Sequence, residues 1–230
     1  MEKLKLYFKE LMDILLRPRY FYSQIGKQQM KDQPFTFLII SSWIFSTFTS
    51  IFLFISLFLP TLKVLITGIQ PIKMWIIIPL FVFFCSVFFV MITLILGPVI
   101  LMVNFAISSA VAFTLDIIAK KFSKVSNFNE ILKASFYNSA VLIFYSIIPL
   151  LLIIGIYRSI PLENIHIGVS FLLMLGLIYL WGLWSISIRK IYKISRRKSL
   201  FAAFLLFAIV VLFYMVIGQK ILFIIERRLI

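Results

Sequence analysis

From Trp75 to Leu115 the chain runs 41 residues without a charged side chain. As one helix that stretch would be roughly 60 Å long, twice the ~30 Å hydrocarbon core of a bilayer. The runs Pro34–Pro60, Ala134–Tyr157, Asn164–Ile188 and Ser199–Gln219 are likewise uncharged. A soluble fold of 230 residues has no interior able to hide so much apolar surface. Hydrophobic residues are 63% of the chain, against about 45–50% in soluble domains, so most of it belongs in lipid. The expected fold is an all-α, polytopic transmembrane helical bundle. A cytoplasmic amphipathic segment, 1–33, precedes a single transmembrane domain, 34–230. Spans are expected at about 35–59, 75–118, 134–157, 165–188 and 199–219.

In a soluble protein a formal charge of +15 would point to nucleic acid. Here the cations stand at the ends of apolar runs, as the positive-inside rule requires, so no nucleic-acid partner is expected. Five spans with the N-terminus cytoplasmic place 17 of the 23 Lys and Arg inside and 6 outside. Six spans would place 11 inside and 12 outside. The charge pattern therefore predicts five crossings, N-terminus in and C-terminus out. The long run must then be broken, and Gly97-Pro98 is the expected place, because proline lacks a donor and its ring strikes the preceding turn. Residues 75–96 would be tilted, interfacial or re-entrant. If both halves crossed instead, there would be six spans.

The N-terminal segment reads as an amphipathic helix. Leu4, Phe8, Leu11 and Leu15, with Tyr7, Met12 and Ile14, fall on one helical stripe, and Lys3, Lys5, Lys9, Glu10 and Asp13 take the remainder. Such a helix lies in the membrane interface or packs on the protein's own cytoplasmic end, and Phe and Leu beside interleaved Lys favour the interface. Pro18 is expected to stop it. Cys85, the single cysteine, excludes an intramolecular disulfide and reads as a small buried hydrophobe.

Nothing in the chain rises to a catalytic site. His166 is the only histidine, which excludes any centre needing two imidazoles; it is expected in a short outer loop beside Glu163. Zincin, phosphate-loop and dinucleotide-binding motifs are absent from the sequence. No catalytic residue, metal ligand or cofactor is predicted. Asn104, with Ser108 and Ser109, suits interhelical hydrogen bonding. Asp116 stands four residues before Lys120, the spacing of a helical ion pair. The densest basic cluster is Arg189, Lys190, Lys193, Arg196, Arg197 and Lys198. It suits anionic lipid headgroups, and Tyr179, Trp181, Trp184 and Tyr192 beside it read as an interfacial aromatic belt.

Three stretches carry a family resemblance. Leu15-Leu16-Arg17-Pro18-Arg19-Tyr20-Phe21-Tyr22 precedes the first span. Phe128–Tyr145, with Ala134, Tyr137, Asn138 and Ala140, leads to Pro149. Leu180-Trp181-Gly182-Leu183-Trp184 is followed by Lys193-Ile194-Ser195-Arg196-Arg197-Lys198. Together they resemble the Yip-domain (Ypt/Rab-interacting) membrane proteins in their bacterial form, over most of residues 10–220. Two features depart from that pattern: the glycine pair usual before the third span is missing around Lys121–Asn127, and the run upstream of Pro98 is unusually long. The resemblance implies five spans and a cytoplasmic N-terminus, in agreement with the charge count. Eukaryotic relatives serve vesicle traffic through small GTPases, a role not carried over to this chain. The expected function is that of a non-enzymatic membrane protein of the bacterial cytoplasmic membrane. It would organise membrane, or assemble with itself or with other membrane proteins. The alternative is the membrane subunit of a transporter energised by a partner ATPase, with Phe128–Lys133 as a coupling helix.

Overall fold

In the computed structural model residues 2–25, 33–68, 71–157 and 162–213 are described, and among them there is no strand. The helices are α1 Glu2–Leu16, α2 Pro18–Gln24, α3 Gln33–Gly68, α4 Pro71–Ser123, α5 Phe128–Tyr137, α6 Val141–Tyr145, α7 Ile147–Tyr157, α8 Leu162–Tyr192 and α9 Arg196–Phe213. A 3₁₀ turn, Asn138–Ala140, joins α5 to α6. Four segments are long and apolar enough to cross a membrane: Gln33–Ser56, Ile78–Ser123, Phe128–Leu152 and Ile167–Tyr192. The fifth expected span, 199–219, coincides with α9 as far as Phe213; its remainder lies outside the described residues.

The prolines act differently at three places. α1 ends at Leu16, and Pro18 opens α2 in its first turn, where the missing N–H costs nothing. The expected break at Gly97-Pro98 does not occur, because α4 is helical from Pro71 to Ser123 with both Pro79 and Pro98 inside it. Leaving the helix there would orphan backbone groups among apolar side chains, at several kcal/mol each, whereas one interior proline costs about 3 kcal/mol. The third apolar stretch begins earlier than 134 and is the segmented one. Pro149 stands four residues after Tyr145, where α6 stops. At this break Ser146 offers both its amide and its hydroxyl to the Leu142 carbonyl, at 2.8 and 2.9 Å. His166 is helical as well, within the first turns of α8 and not in a loop.

The chain divides into two compact units. The first comprises Met1–Pro34, Ile107–Asn138 and Leu177–Ile230, and the second Phe35–Ala106 and Ser139–Gly176. In the second unit α3 and α4 approach closely at Gly97, where a Cβ atom would fall 2.7 Å from the Trp43 indole. At Gly176 of α8 it would fall 2.4 Å from the Tyr145 ring. Ser42, Ser46 and Ser50 form an i, i+4, i+8 row on α3 that is fully buried, and Asn104 Nδ2 donates to Ser42 Oγ at 3.0 Å. Small residues let helices close on one another where lipid provides no hydrophobic drive. An apolar groove of about 280 Å³ lies between α3 and α4, lined by Phe54, Ile55, Phe58, Phe81, Val82, Cys85 and Ser86.

Candidate functional site: a basic end and a buried carboxyl

The first unit gathers the polar chemistry. α4 and α8 each end in a residue with left-handed backbone, Lys124 at φ 58° and Lys193 at φ 51°. This is the conformation that terminates helices, and glycine usually takes it. Asp116 then ties the two helix ends together. Its carboxylate accepts from Ser126 Oγ at 2.8 Å, from the Asn127 amide at 3.2 Å, and from the Tyr192 hydroxyl. Asn127 Nδ2 donates to the Ile191 carbonyl. The expected Asp116–Lys120 ion pair is therefore replaced. Asp116 faces the returning chain at the start of α5, whereas Lys120 is exposed, and three fixed donors outcompete one flexible ammonium.

Through that tie, cations distant in sequence come to one end of the unit. Lys120, Lys121 and Lys124 belong to the end of α4, and all three are exposed. Arg189, Lys190, Lys193, Arg196, Arg197 and Lys198 follow from the end of α8 and the start of α9, and all six are exposed too. Three of them occupy the first turn of α9, which holds no acidic residue. Cations at a helix N-terminus oppose its dipole, so an anion settling there relieves both the side chains and the backbone amides.

The aromatic belt is not what the sequence suggested. Trp184 is 3% exposed and Tyr192 6%; both fill the interior of the unit, and the Tyr179 hydroxyl donates to the Ile14 carbonyl of α1 at 3.3 Å. Trp181 stands 6.3 Å from Phe207, and its indole N–H is buried without a partner. Thus α1 claims Tyr179, α9 claims Trp181, and Asp116 of α4 claims Tyr192. Asn104 is engaged with Ser42 as described, while Ser108 is buried in the first unit.

Sequence reasoning missed Glu10. It lies on the face of α1 shared with Tyr7, Leu11 and Ile14 and is 6% exposed. The Tyr137 hydroxyl donates to its Oε1 at 3.3 Å, and Tyr22 donates to Asn138 Oδ1 at 2.5 Å nearby in the same unit. Burial raises the Glu10 carboxyl from 4.5 to about 7, with the Tyr137 hydrogen bond opposing and Asp13 adding to the rise. Burial also lifts the Tyr22 phenol well above its ordinary range, aided by Tyr179 and Tyr137. A signal existed in the sequence: Glu10 interrupts the row Tyr7, Leu11, Ile14 at i+3, inside the apolar stripe.

Among the described residues no group of three or more His, Cys, Asp or Glu side chains could hold a metal ion. The groove between α3 and α4 offers one thiol and one hydroxyl on an otherwise aromatic and aliphatic wall. No family profile, curated protein or solved structure matches this chain.

Proposed function

We propose that this chain is a non-enzymatic polytopic protein of the bacterial cytoplasmic membrane, of the Yip-domain type. It gathers anionic lipid at the inner surface and so organises the membrane around it, alone or assembled with other membrane proteins. The observation that carries this reading is the exposed basic end, built by the Asp116 tie from the termini of α4, α8 and α9. Near a negatively charged leaflet each such cation contributes about 1 kcal/mol of attraction.

The supporting topology is five crossings with the N-terminus inside. It rests on the split of 17 cations inside against 6 outside and on four membrane-length segments, with α9 leading into the fifth. At 1.5 Å per residue the 46 residues from Ile78 to Ser123 span roughly 70 Å. As one straight helix they exceed a perpendicular crossing and require steep tilt or a run along the interface. A coupling helix at Phe128–Lys133 has less support, because those turns continue directly through α5 with Ile131 fully buried.

Native mass spectrometry of retained lipid tests the reading. Replacing Arg196, Arg197 and Lys198 together by Gln removes three charges while keeping polarity. The variant should release anionic lipid that the parent holds. The parent itself should release lipid as salt shortens the Debye length from about 10 Å at 0.1 M to about 3 Å at 1 M. Equal retention by parent and triple variant would leave the cluster as a topology signal only.

A further inference from the structure

The apolar stripe of α1 is divided by the fold into two rows. Tyr7 and Leu11, with Ile14, are buried in the first unit, at 2%, 7% and 0% exposure. Leu4, Phe8, Met12 and Leu16 form the adjacent i, i+4, i+8, i+12 row and stay exposed, at 52%, 50%, 52% and 69%. Next around the helix come Lys5 and Lys9, also exposed, with the half-buried Asp13 continuing their row, while Lys3 is exposed at the N-terminal end of the buried row. Three neighbouring rows thus run from protein-facing through free apolar to cationic. Four large apolar side chains in one continuous row are more than scattered surface hydrophobics, and their cationic flank selects what covers them.

We propose that this ridge is a membrane-docking surface whose occupant is the anionic inner face of the bilayer. Leu4, Phe8, Met12 and Leu16 sink to the headgroup–acyl boundary, roughly 5–10 Å deep as other interfacial helices do. Lys5 and Lys9 remain at headgroup level, where their stems lie along the apolar row and their ammonium groups meet lipid phosphates. The adjacent buried row is the anchor. Tyr137 holds Glu10, and Tyr179 holds the Ile14 carbonyl, so the helix is fixed edgewise to α5 and α8 and presents its ridge at a set angle. A helix held by one row and inserted by the next adds area to one leaflet only, which would make it a wedge. This surface is distinct from the basic end formed by α4, α8 and α9, and the two can fail separately.

Spin labels placed singly at Phe8→Cys, Met12→Cys and Lys9→Cys, on a Cys85→Ser background of the full chain, read the depth of each row. The protein is reconstituted in nanodiscs of phosphatidylcholine and phosphatidylglycerol. Collisions with oxygen should exceed those with a water-soluble nickel chelate at positions 8 and 12, and the order should reverse at position 9. In discs of phosphatidylcholine alone, or with Lys5→Gln and Lys9→Gln, the reading at position 8 should move toward the aqueous value. If nickel dominates at 8 and 12, the ridge lies in water and the proposal is wrong. Low access to both reagents with dipolar broadening between labels would assign the ridge to a second copy of the chain, and without broadening to the protein's own interior. An unchanged reading in neutral discs would overturn the assignment to an anionic surface. A Leu4→Cys label supplies the same reading if the Met12 variant fails to fold. On the Arg196/Arg197/Lys198→Gln background the depth order should persist, which separates this surface from lipid capture at the basic end.

Discussion

At the residue scale the informative groups are the two carboxylates that the fold encloses. Glu10 binds its proton more tightly when α1 is docked than when it is released, since burial raises its carboxyl from 4.5 to about 7. The sign follows: docking is strongest below about pH 4.5, weakens as pH rises toward about 7, and is level above that. After correction for the intrinsic pH dependence of exchange, protection of the α1 amides should therefore fall between those values, and Glu10→Gln should abolish that fall. A parent chain whose α1 protection ignores pH would refute the assignment. Asp116 is an acceptor with three donors around it. Asp116→Ala leaves the Asn127 amide and two hydroxyls without their acceptor, a loss of about 1–3 kcal/mol, and Tyr192→Phe should cost about 0.5–1.5 kcal/mol. Thermal unfolding in mild detergent checks both. A silent Asp116→Ala beside a harmful Lys120→Ala would restore the helical ion pair. Spacing alone suggested that pair, because Lys120 is visible four residues on, whereas Tyr192 is 76 residues away.

At the scale of elements the chain treats two prolines in opposite ways. Pro98 is absorbed into α4, while a break appears four residues before Pro149. The hydroxyl-to-carbonyl bond of Ser146 does not account for the difference, since Thr93 makes the same bond to the Phe89 carbonyl inside unbroken α4. Gly97 beside Pro98 matters for another reason, the Trp43 ring that occupies its Cβ space. Gly97→Ala gains about 1 kcal/mol of helix propensity but costs about 1–3 kcal/mol of overpacking, so net destabilisation is expected. In a Trp43→Ala background the steric part vanishes, and the same change should become neutral or stabilising. A double-mutant cycle read by unfolding in detergent measures this coupling; strict additivity would mean that the ring moves aside freely.

At the scale of the whole molecule the question is which ends share a compartment. Single cysteines on the Cys85→Ser background should report Ser126 and Ser195 as closed to reagents confined to the outside, and His166 as open to them. Ser126 and Ser195 are both exposed, so a negative result there reflects the membrane and not burial. Labelling of Ser126 from outside would favour six crossings. The all-helical architecture and its membrane-length segments were legible from sequence, because apolar runs of that length leave lipid as the solvent and the helix as the backbone's remedy. The halt at Pro18 was legible for an equally local reason, the clash of one ring with the residue before it, which puts Arg17 outside the helical region. Tertiary structure alone decided which half of the α1 stripe stays free, why Trp184 turns inward, what holds Asp116, and that a carboxyl lies buried at Glu10. Those outcomes depend on what stands opposite each side chain, often a hundred residues away, as Tyr137 stands opposite Glu10. Hydropathy and spacing describe how a residue relates to solvent and to its own helix, and carry no term for that opposing surface.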